Sequence, residues 1–263
     1  MILRPGRNCW RVARAGRAVL LIDAAAYFSA LRAAAALIAT YNVHRCVGRD
    51  GRSEPARTLE VLRELDADVI ALQELQWQPD AALHLLQEFA LELGYVALAG
   101  PTLLRASGHY GNAVLTRLPI RATDSLDISV PGREPRGALD ALLDSPGGTL
   151  RLLATHLGLR PYERRAQMRR LLARPREPAS AAVLLGDLNE WFLWGRPLRW
   201  LRARFGRTPA PATFPARRPL LALDRIWVEP RALLGELRAH SSPLARVASD
   251  HLPLRAVLDW QRV

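Results

Sequence analysis

Apolar and polar positions follow two periods along this chain. From about residue 37, short apolar runs of strand length end in polar residues. The clearest are "ALIATYNVH" (36–44), "DVIALQEL" (68–75), "TLRLLATHL" (149–157) and "AAVLLGDLN" (181–189). "GNAVLTRL", "RATDSLDI", "GALDALL", "LALDRIWV" and "LPLRAVLDW" read the same way. Between them lie stretches of helical period. "SEPARTLEVLREL" (53–65) offers Ser53 as an N-cap, Pro55 in the first turn, and Leu59, Leu62 and Leu65 on one face. "DAALHLLQEFALEL" (80–93) stops at Gly94, and "YERRAQMRRLLA" (162–173) and "LRWLRARFG" (198–206) are two further helices. Strand-only stretches follow the first two helices, which excludes a strict βαβ alternation. The expectation is an α+β fold: a two-sheet β-sandwich flanked by helices on both outer faces, in four α/β/β/α layers. No repeat or low-complexity linker divides residues 37–263, so that span reads as one domain.

The first 36 residues differ. "RPGRNCWRVARAGR" is basic without an apolar period, and "AVLLIDAAAYFSALRAAAALIA" is apolar but broken by Asp23 and Arg32. A spanning helix wants about 20 uninterrupted apolar residues. Three readings stay open for this leader: an amphipathic helix, a start site set too far upstream, or a membrane or export signal. Without a clean signal peptide, the expectation is a cytoplasmic protein, with membrane association through the leader as the alternative.

Composition bounds the chemistry. At 263 residues, 49% hydrophobic and 24% charged, the chain has a globular composition. Its two cysteines, Cys9 and Cys46, form no CxxC pair, which argues against a disulfide framework or structural zinc. The net charge is +12, and all 37 basic residues are arginine. An alanine-rich chain without lysine is what GC-rich coding produces. The charge therefore supports a polyanionic substrate without identifying one.

The strand tips carry the candidate chemistry. Residues two apart in a strand share a face, so Asp187 and Asn189 are expected to project together, as are Thr40 and Asn42. Glu74 ends a third apolar run and His156 a fourth; Asp224 opens another, and Asp250 and His251 precede the last. Carboxylates are costly at buried strand ends unless partnered. A shared metal ion would account for the set. Oxygen-rich donors without thiolate pairs suit Mg²⁺, or Mn²⁺, better than zinc. Such an ion polarises a phosphoryl oxygen, and a histidine beside a carboxylate is a proton-transfer group.

Taken in order, TYNVH, LQEL, YGNAVLTRLP, ATHL, LLGDLN, LDRIWV and SDHLPL resemble the endonuclease/exonuclease/phosphatase superfamily, the fold of pancreatic-type deoxyribonuclease. The resemblance spans about residues 37–260. It implies Glu74 as the main Mg²⁺ ligand, with Asn42 and Asp250 on the metal side. It implies His251 as the catalytic histidine, oriented by Asp224. Asp187 and Asn189 would position the attacking water and the phosphoryl oxygens, and His156 would contact phosphate or aid the leaving group. Asn112 and Arg136 match segments near the substrate cleft. A Mg²⁺-dependent phosphodiester hydrolase acting on nucleic acid is the expected function. A phospholipase C- or sphingomyelinase-like enzyme, or a small-phosphoester hydrolase, is the alternative; a catalytically inactive binding module is a remote one. The nucleic-acid reading predicts a basic groove across Asn112, Arg136 and arginines 164, 165, 169 and 170. The lipid reading predicts an exposed apolar rim around Trp191–Trp194. Arg217 and Arg218 belong to the rim on either reading. No protein partner is implied.

Overall fold

The computed structural model describes residues 34–77, 84–104, 108–174 and 179–263. Eleven strands form two mixed sheets. In chain order they are β1 (Ala35–Asn42), β2 (Val69–Trp77), β3 (Val96–Leu103), β4 (His109–Thr116), β5 (Ile120–Asp127), β6 (Gly137–Ser145), β7 (Gly148–His156), β8 (Ala181–Asp187), β9 (Asp224–Glu229), β10 (Leu234–Ala239) and β11 (Leu254–Asp259). One sheet runs β10-β11-β1-β2-β4-β3 and the other β5-β6-β7-β8-β9. Five α-helices are described: α1 (Pro55–Leu65), α2 (Leu85–Leu93), α3 (Pro161–Ala173), α4 (Arg196–Phe205) and the single turn α5 (Ala245–Ala248).

The period of two along each strand builds the layers. Ile38, Val69, Val114, Leu152, Val183 and Leu185 point into the seam between the sheets. Their neighbours Ala39, Ile70 and Leu72 point outward, where they meet Val61 and Leu62 of α1 and Phe89 of α2. On the opposite outer face, Leu184 and Trp227 pack under Met168 and Leu171 of α3 and Leu198 and Leu201 of α4. The four-layer sandwich expected from the sequence is therefore the fold observed.

Several local expectations change. The first strand begins at Ala35, inside the span assigned to the leader; residues 1–33 lie outside those described, as do residues 80–83 of the second expected helix. Ser53 does not cap α1: the N-cap is Glu54, without a side-chain bond, and Ser53 forms an isolated bridge with Val47. Gly94 does end α2, at φ 70°. Strands β3 and β10, not expected from the pattern, are the two edges of the larger sheet. No helix among the described residues is long and apolar enough to cross a membrane.

Candidate active site

Three strand ends bring the chemistry together. β7 and β8 run parallel with His156 paired to Asp187, and β9 runs antiparallel with Asp187 paired to Asp224. These side chains thus emerge abreast at one end of the smaller sheet. The other sheet supplies Asn42 at the tip of β1 and Glu74 from β2. Asn42 Nδ2 lies 3.1 Å from Glu74 Oε1 and 3.1 Å from Asp187 Oδ2, so a single amide bridges the two sheets.

Two backbone devices aim these groups. β2 pairs irregularly with β4 between Leu72 and Leu75, and within that bulge Glu74 takes φ 57°. A bulge re-aims a side chain out of the regular alternation, and a non-glycine residue held at positive φ marks a conformation the surroundings impose. Glu74 was expected at the end of its strand; it sits inside it, at this irregularity. The second device is an Asx turn. β8 ends at Asp187, Asn189 has φ 49°, and the Asn189 N–H donates to Asp187 Oδ1 over 2.8 Å. Asp187 and Asn189 converge through this turn, not through strand alternation as the sequence spacing implied.

His251 Nδ1 lies 2.8 Å from Asp224 Oδ2, which also accepts from Thr213 Oγ1 at 2.6 Å. The His251 backbone N–H donates to Ser249 Oγ over 3.2 Å, and the Phe214 ring centroid lies 4.9 Å from the imidazole. Its free Nε2 is 3.8 Å from Asp187 Oδ2. Burial alone would lower the His251 pKa; the charge and hydrogen bond of Asp224, with Asp187 beyond, outweigh it and raise the value to about 10. Asp187 is raised to about 6, chiefly because burial disfavours its charge, although His251 pulls the other way.

The second histidine is tuned in reverse. His156 is buried, and burial together with the nearby Arg136 charge and that of His251 holds its pKa well below the ordinary value. Arg136 Nη1 lies 2.8 Å from His156 Nδ1. A guanidinium can only donate, so Nδ1 accepts and the ring proton rests on Nε2. That nitrogen lies 3.5 Å from Asp187 Oδ2 and 3.0 Å from Asn189 Nδ2, an amide nitrogen that donates to the Leu157 carbonyl over 2.9 Å. His156 is thus an uncharged ring set between two N–H donors, Arg136 and Asn189, with Asp187 Oδ2 the acceptor beside its Nε2.

The remaining expected residues are placed less centrally. Asp250 is next to His251, and its carboxylate accepts from Ser249 Oγ (3.3 Å) and lies 3.8 Å from His44 Nδ1. Ser249 Oγ also donates to the Asn42 carbonyl over 2.8 Å, so Asp250 borders the Asn42 side of the site. Asn112 is buried and donates to the Gly137 carbonyl over 2.9 Å, tying β4 to β6 beside Arg136. Among the helix arginines, Arg164 is buried against Glu190, Arg170 donates to the Ser129 carbonyl and Arg169 stacks over Trp200. The basic groove expected along α3 does not form from these three. Thr213, Ser249 and Phe214 were not singled out in the sequence; their only signal was proximity to Asp224 or His251 in the chain.

A divalent ion fits the donors present. Glu74 opens onto a cleft of about 360 Å³ that Arg45, Gln76, Tyr110 and Glu134 also line. Glu74 offers hard carboxylate oxygens of the kind Mg²⁺ or Mn²⁺ prefers; the Asn42 amide beside it turns its nitrogen to Glu74 and its oxygen to the His44 N–H. A second group adjoins it: ligand atoms of Asp187, Asp224 and His251 lie within 4.8 Å of one another. There, however, Asp224 Oδ2 already accepts two hydrogen bonds, and a proton on His251 offsets the paired carboxylates.

Known proteins bear on this arrangement. The uncharacterized protein YbhP of Escherichia coli (strain K12) is 35% identical over 220 residues, covering 75% of this chain and 85% of that protein. The structure of an endonuclease/exonuclease/phosphatase from Beutenbergia cavernae DSM 12333 superposes with a TM-score of 0.70 at 23% identity, over 86% of this chain and 72% of that one. The mannosyl-6-phosphatase Bt3783 of Bacteroides thetaiotaomicron VPI-5482 gives 0.66 at 16% identity, over 84% and 98% of the two chains. A humanized D. rerio TDP2 gives 0.65 at 19%, over 86% and 99%. These structural likenesses show the shared fold. Residues 39–251 match the model of the Endonuclease/Exonuclease/phosphatase family, and the chain belongs to that family.

Proposed function

We propose that this protein is a divalent-metal-dependent phosphodiester hydrolase in which Asp187 takes the proton from the attacking water and His251 acts in its charged form. The observation that carries the reading is the His251–Asp224 pair facing Asp187 across 3.8 Å, beside a neutral histidine. At neutral pH His251 keeps its proton and Asp187 has lost its own, because their pKa values stand at about 10 and about 6. Asp187 is therefore the proton acceptor of the two, and the imidazolium offsets charge that develops on the phosphoryl group. His156 adds an uncharged imidazole whose Nε2 lies 3.5 Å from Asp187 Oδ2. Glu74 and Asn42, with Asp250 at the border, would hold Mg²⁺ or Mn²⁺. When bound, that ion supplies Lewis-acid polarisation of a phosphoryl oxygen.

A nucleic-acid substrate drew support from the basic groove expected across Asn112, Arg136 and α3. Asn112, Arg136 and Arg164 are instead engaged inside the protein. The alternative, a phospholipid headgroup, predicted an exposed apolar rim around Trp191–Trp194, and the exposure of Trp191, Phe192, Leu193 and Trp194 supports it.

The test is hydrolysis of bis(p-nitrophenyl) phosphate, plasmid DNA and phospholipid vesicles by chelator-stripped protein, with and without added Mg²⁺. Mg²⁺-dependent turnover is expected with at least one substrate, and His251→Ala should lower it by about 10²–10³-fold, the range for losing one group that stabilises developing charge. Undiminished turnover in His251→Ala, or full activity in the presence of chelator, would overturn the reading.

A further inference from the structure

We propose that the catalytic end of the sandwich docks on an anionic phospholipid surface, with the loop Trp191–Trp194 inserted among the lipids. The substrate phosphodiester would then be presented from that surface. The substrate half rests on the phosphodiesterase reading above; the docking half does not.

Four consecutive large apolar residues, Trp191, Phe192, Leu193 and Trp194, are between 51% and 70% exposed. They begin four residues after Asp187. A contiguous exposed apolar patch on a soluble domain marks a surface that meets something apolar. This loop is also built rather than loose. Its base, Glu190, is buried in an ion pair with Arg164 of α3 and accepts from the Phe192 N–H over 3.3 Å. Gly195 N–H donates to the Phe192 carbonyl over 2.9 Å, and Arg202 of α4 donates to the Leu193 carbonyl over 2.6 Å. The Phe192 and Trp194 rings lie 5.3 Å apart. The polar backbone is thus tied inward while the side chains face out.

Topology places two more exposed apolar residues at the same end. β7 and β8 are parallel and β9 is antiparallel to them. The loop after β7, the loop after β8 and the loop before β9 therefore share one end of the sheet with His156, Asp187 and Asp224. The first presents Leu159, 63% exposed, and the last presents Leu220, 79% exposed.

The charge around these residues selects the occupant. Among the described residues from 157 to 223, the carboxylates are Glu163, Asp187 and Glu190, and all three are buried. Arg160, Arg196, Arg199, Arg217 and Arg218 are exposed. Glu134, exposed in the loop before β6, faces the cleft with Glu74; the apolar tip itself, flanked by exposed arginines, is complementary to an anionic bilayer: apolar side chains enter the acyl boundary and guanidinium groups meet headgroup phosphates. The aromatic rings could stack on unpaired bases, but the exposed aliphatic residues Leu159, Leu193 and Leu220 have no use for a polynucleotide, and they favour the bilayer.

The experiment is co-sedimentation of the full chain with vesicles of phosphatidylcholine containing about one third phosphatidylglycerol, compared with phosphatidylcholine alone. The protein is compared with the variant Trp191→Ser/Phe192→Ser/Leu193→Ser/Trp194→Ser, which keeps residues 1–36 and the catalytic residues. Binding to the anionic vesicles is expected, with at least about a tenfold loss in the variant and unchanged turnover of bis(p-nitrophenyl) phosphate. Circular dichroism and the thermal midpoint check that the variant folds. A second, milder variant, Trp194→Ser alone, should show a partial loss. Equal binding by wild type and both variants would assign membrane affinity elsewhere and overturn the proposal. So would preference for duplex DNA over vesicles, with DNA affinity falling in the variants. His251→Ala separates the two readings: it should bind vesicles like wild type, and retained turnover in it counts against the phosphodiesterase reading alone.

Discussion

Asp187 is held where its charge is unwelcome. It is buried, and burial raises its pKa to about 6 from an ordinary carboxylate value. A carboxyl with a raised folded pKa binds its proton more tightly in the native state. The stability it contributes is full below the unfolded value of about 4 and is lost as pH rises through 6. At pH 8 the ionised carboxylate therefore costs the fold on the order of 2–3 kcal/mol relative to a neutral group of the same shape. Asp187→Asn should abolish turnover yet raise the thermal midpoint at pH 8, by roughly 5 °C or more in chelator. Below about pH 4 that gain should disappear, because the wild-type carboxyl is then neutral too. A midpoint that is unchanged or lower at pH 8 would mean that the carboxylate is better solvated or paired than its burial implies. The same carboxylate sets the acid limb of catalysis. Turnover should rise with pH through about 6 as Asp187 ionises, a limb to be read from kcat against pH on a soluble diester.

At the scale of elements, two supports hold the site, and each makes a prediction. Gly186 precedes Asp187 at φ 138°, and a Cβ there would stand 1.8 Å from the Thr155 carbonyl oxygen of β7. Only glycine lets β8 approach β7 so closely at the site. Gly186→Ala should destabilise the protein by more than about 3 kcal/mol, a size reserved for strain and overpacking in a core, and denaturant midpoints would report it. The buried Arg164–Glu190 pair fastens α3 to the loop that follows β8. Arg164→Met leaves Glu190 buried and unpaired, at a cost of about 3–5 kcal/mol, whereas Arg164→Met/Glu190→Met removes both charges and should recover much of that loss. If the double variant is no more stable than the single, the pair is not acting as a unit.

These supports also show what the sequence could disclose. Eight of the nine strands read from apolar runs contain buried residues, because burial writes the alternation; β5, an edge strand with none, was read from "RATDSLDI" all the same. β3 and β10 are edges with one buried residue each, Gly100 and Leu234; the Gly-Pro pair inside "VALAGPTL" reads as a turn and the two charges in "LGELRA" as a loop. Asp187 and Asn189 were found for the wrong geometric reason: spacing cannot tell strand alternation from an Asx turn. Arg136 looked like a substrate contact because an arginine near a cleft is ordinarily solvated. Only the folded chain shows it against His156.

For the whole molecule, the site lies on the seam between two independently paired sheets. Glu74 and Asn42 come from the six-stranded sheet, and His156, Asp187 and Asp224 from the five-stranded one. Besides packing in the seam, polar ties near the site join the two halves: Asn42 to Asp187, Asn112 to Gly137 and, from the turn before β11, His251 to Asp224. A ligand bound there binds only the closed sandwich, so it stabilises the fold by mass action. With Mg²⁺ at about 100-fold over its dissociation constant the gain is about 2.7 kcal/mol, or on the order of 5–10 °C in the thermal midpoint for a chain of this size. Glu74→Gln should remove most of that increment while leaving the midpoint in chelator nearly unchanged, since Glu74 opens onto the cleft and is not packed in the core. Asp224→Asn should keep the increment, because Asp224 is bonded to His251 and Thr213. The reverse pattern, with Asp224→Asn losing the metal response and Glu74→Gln keeping it, would move the ion to the Asp187–Asp224–His251 group. Asp224 would then be a ligand and not the partner that orients His251.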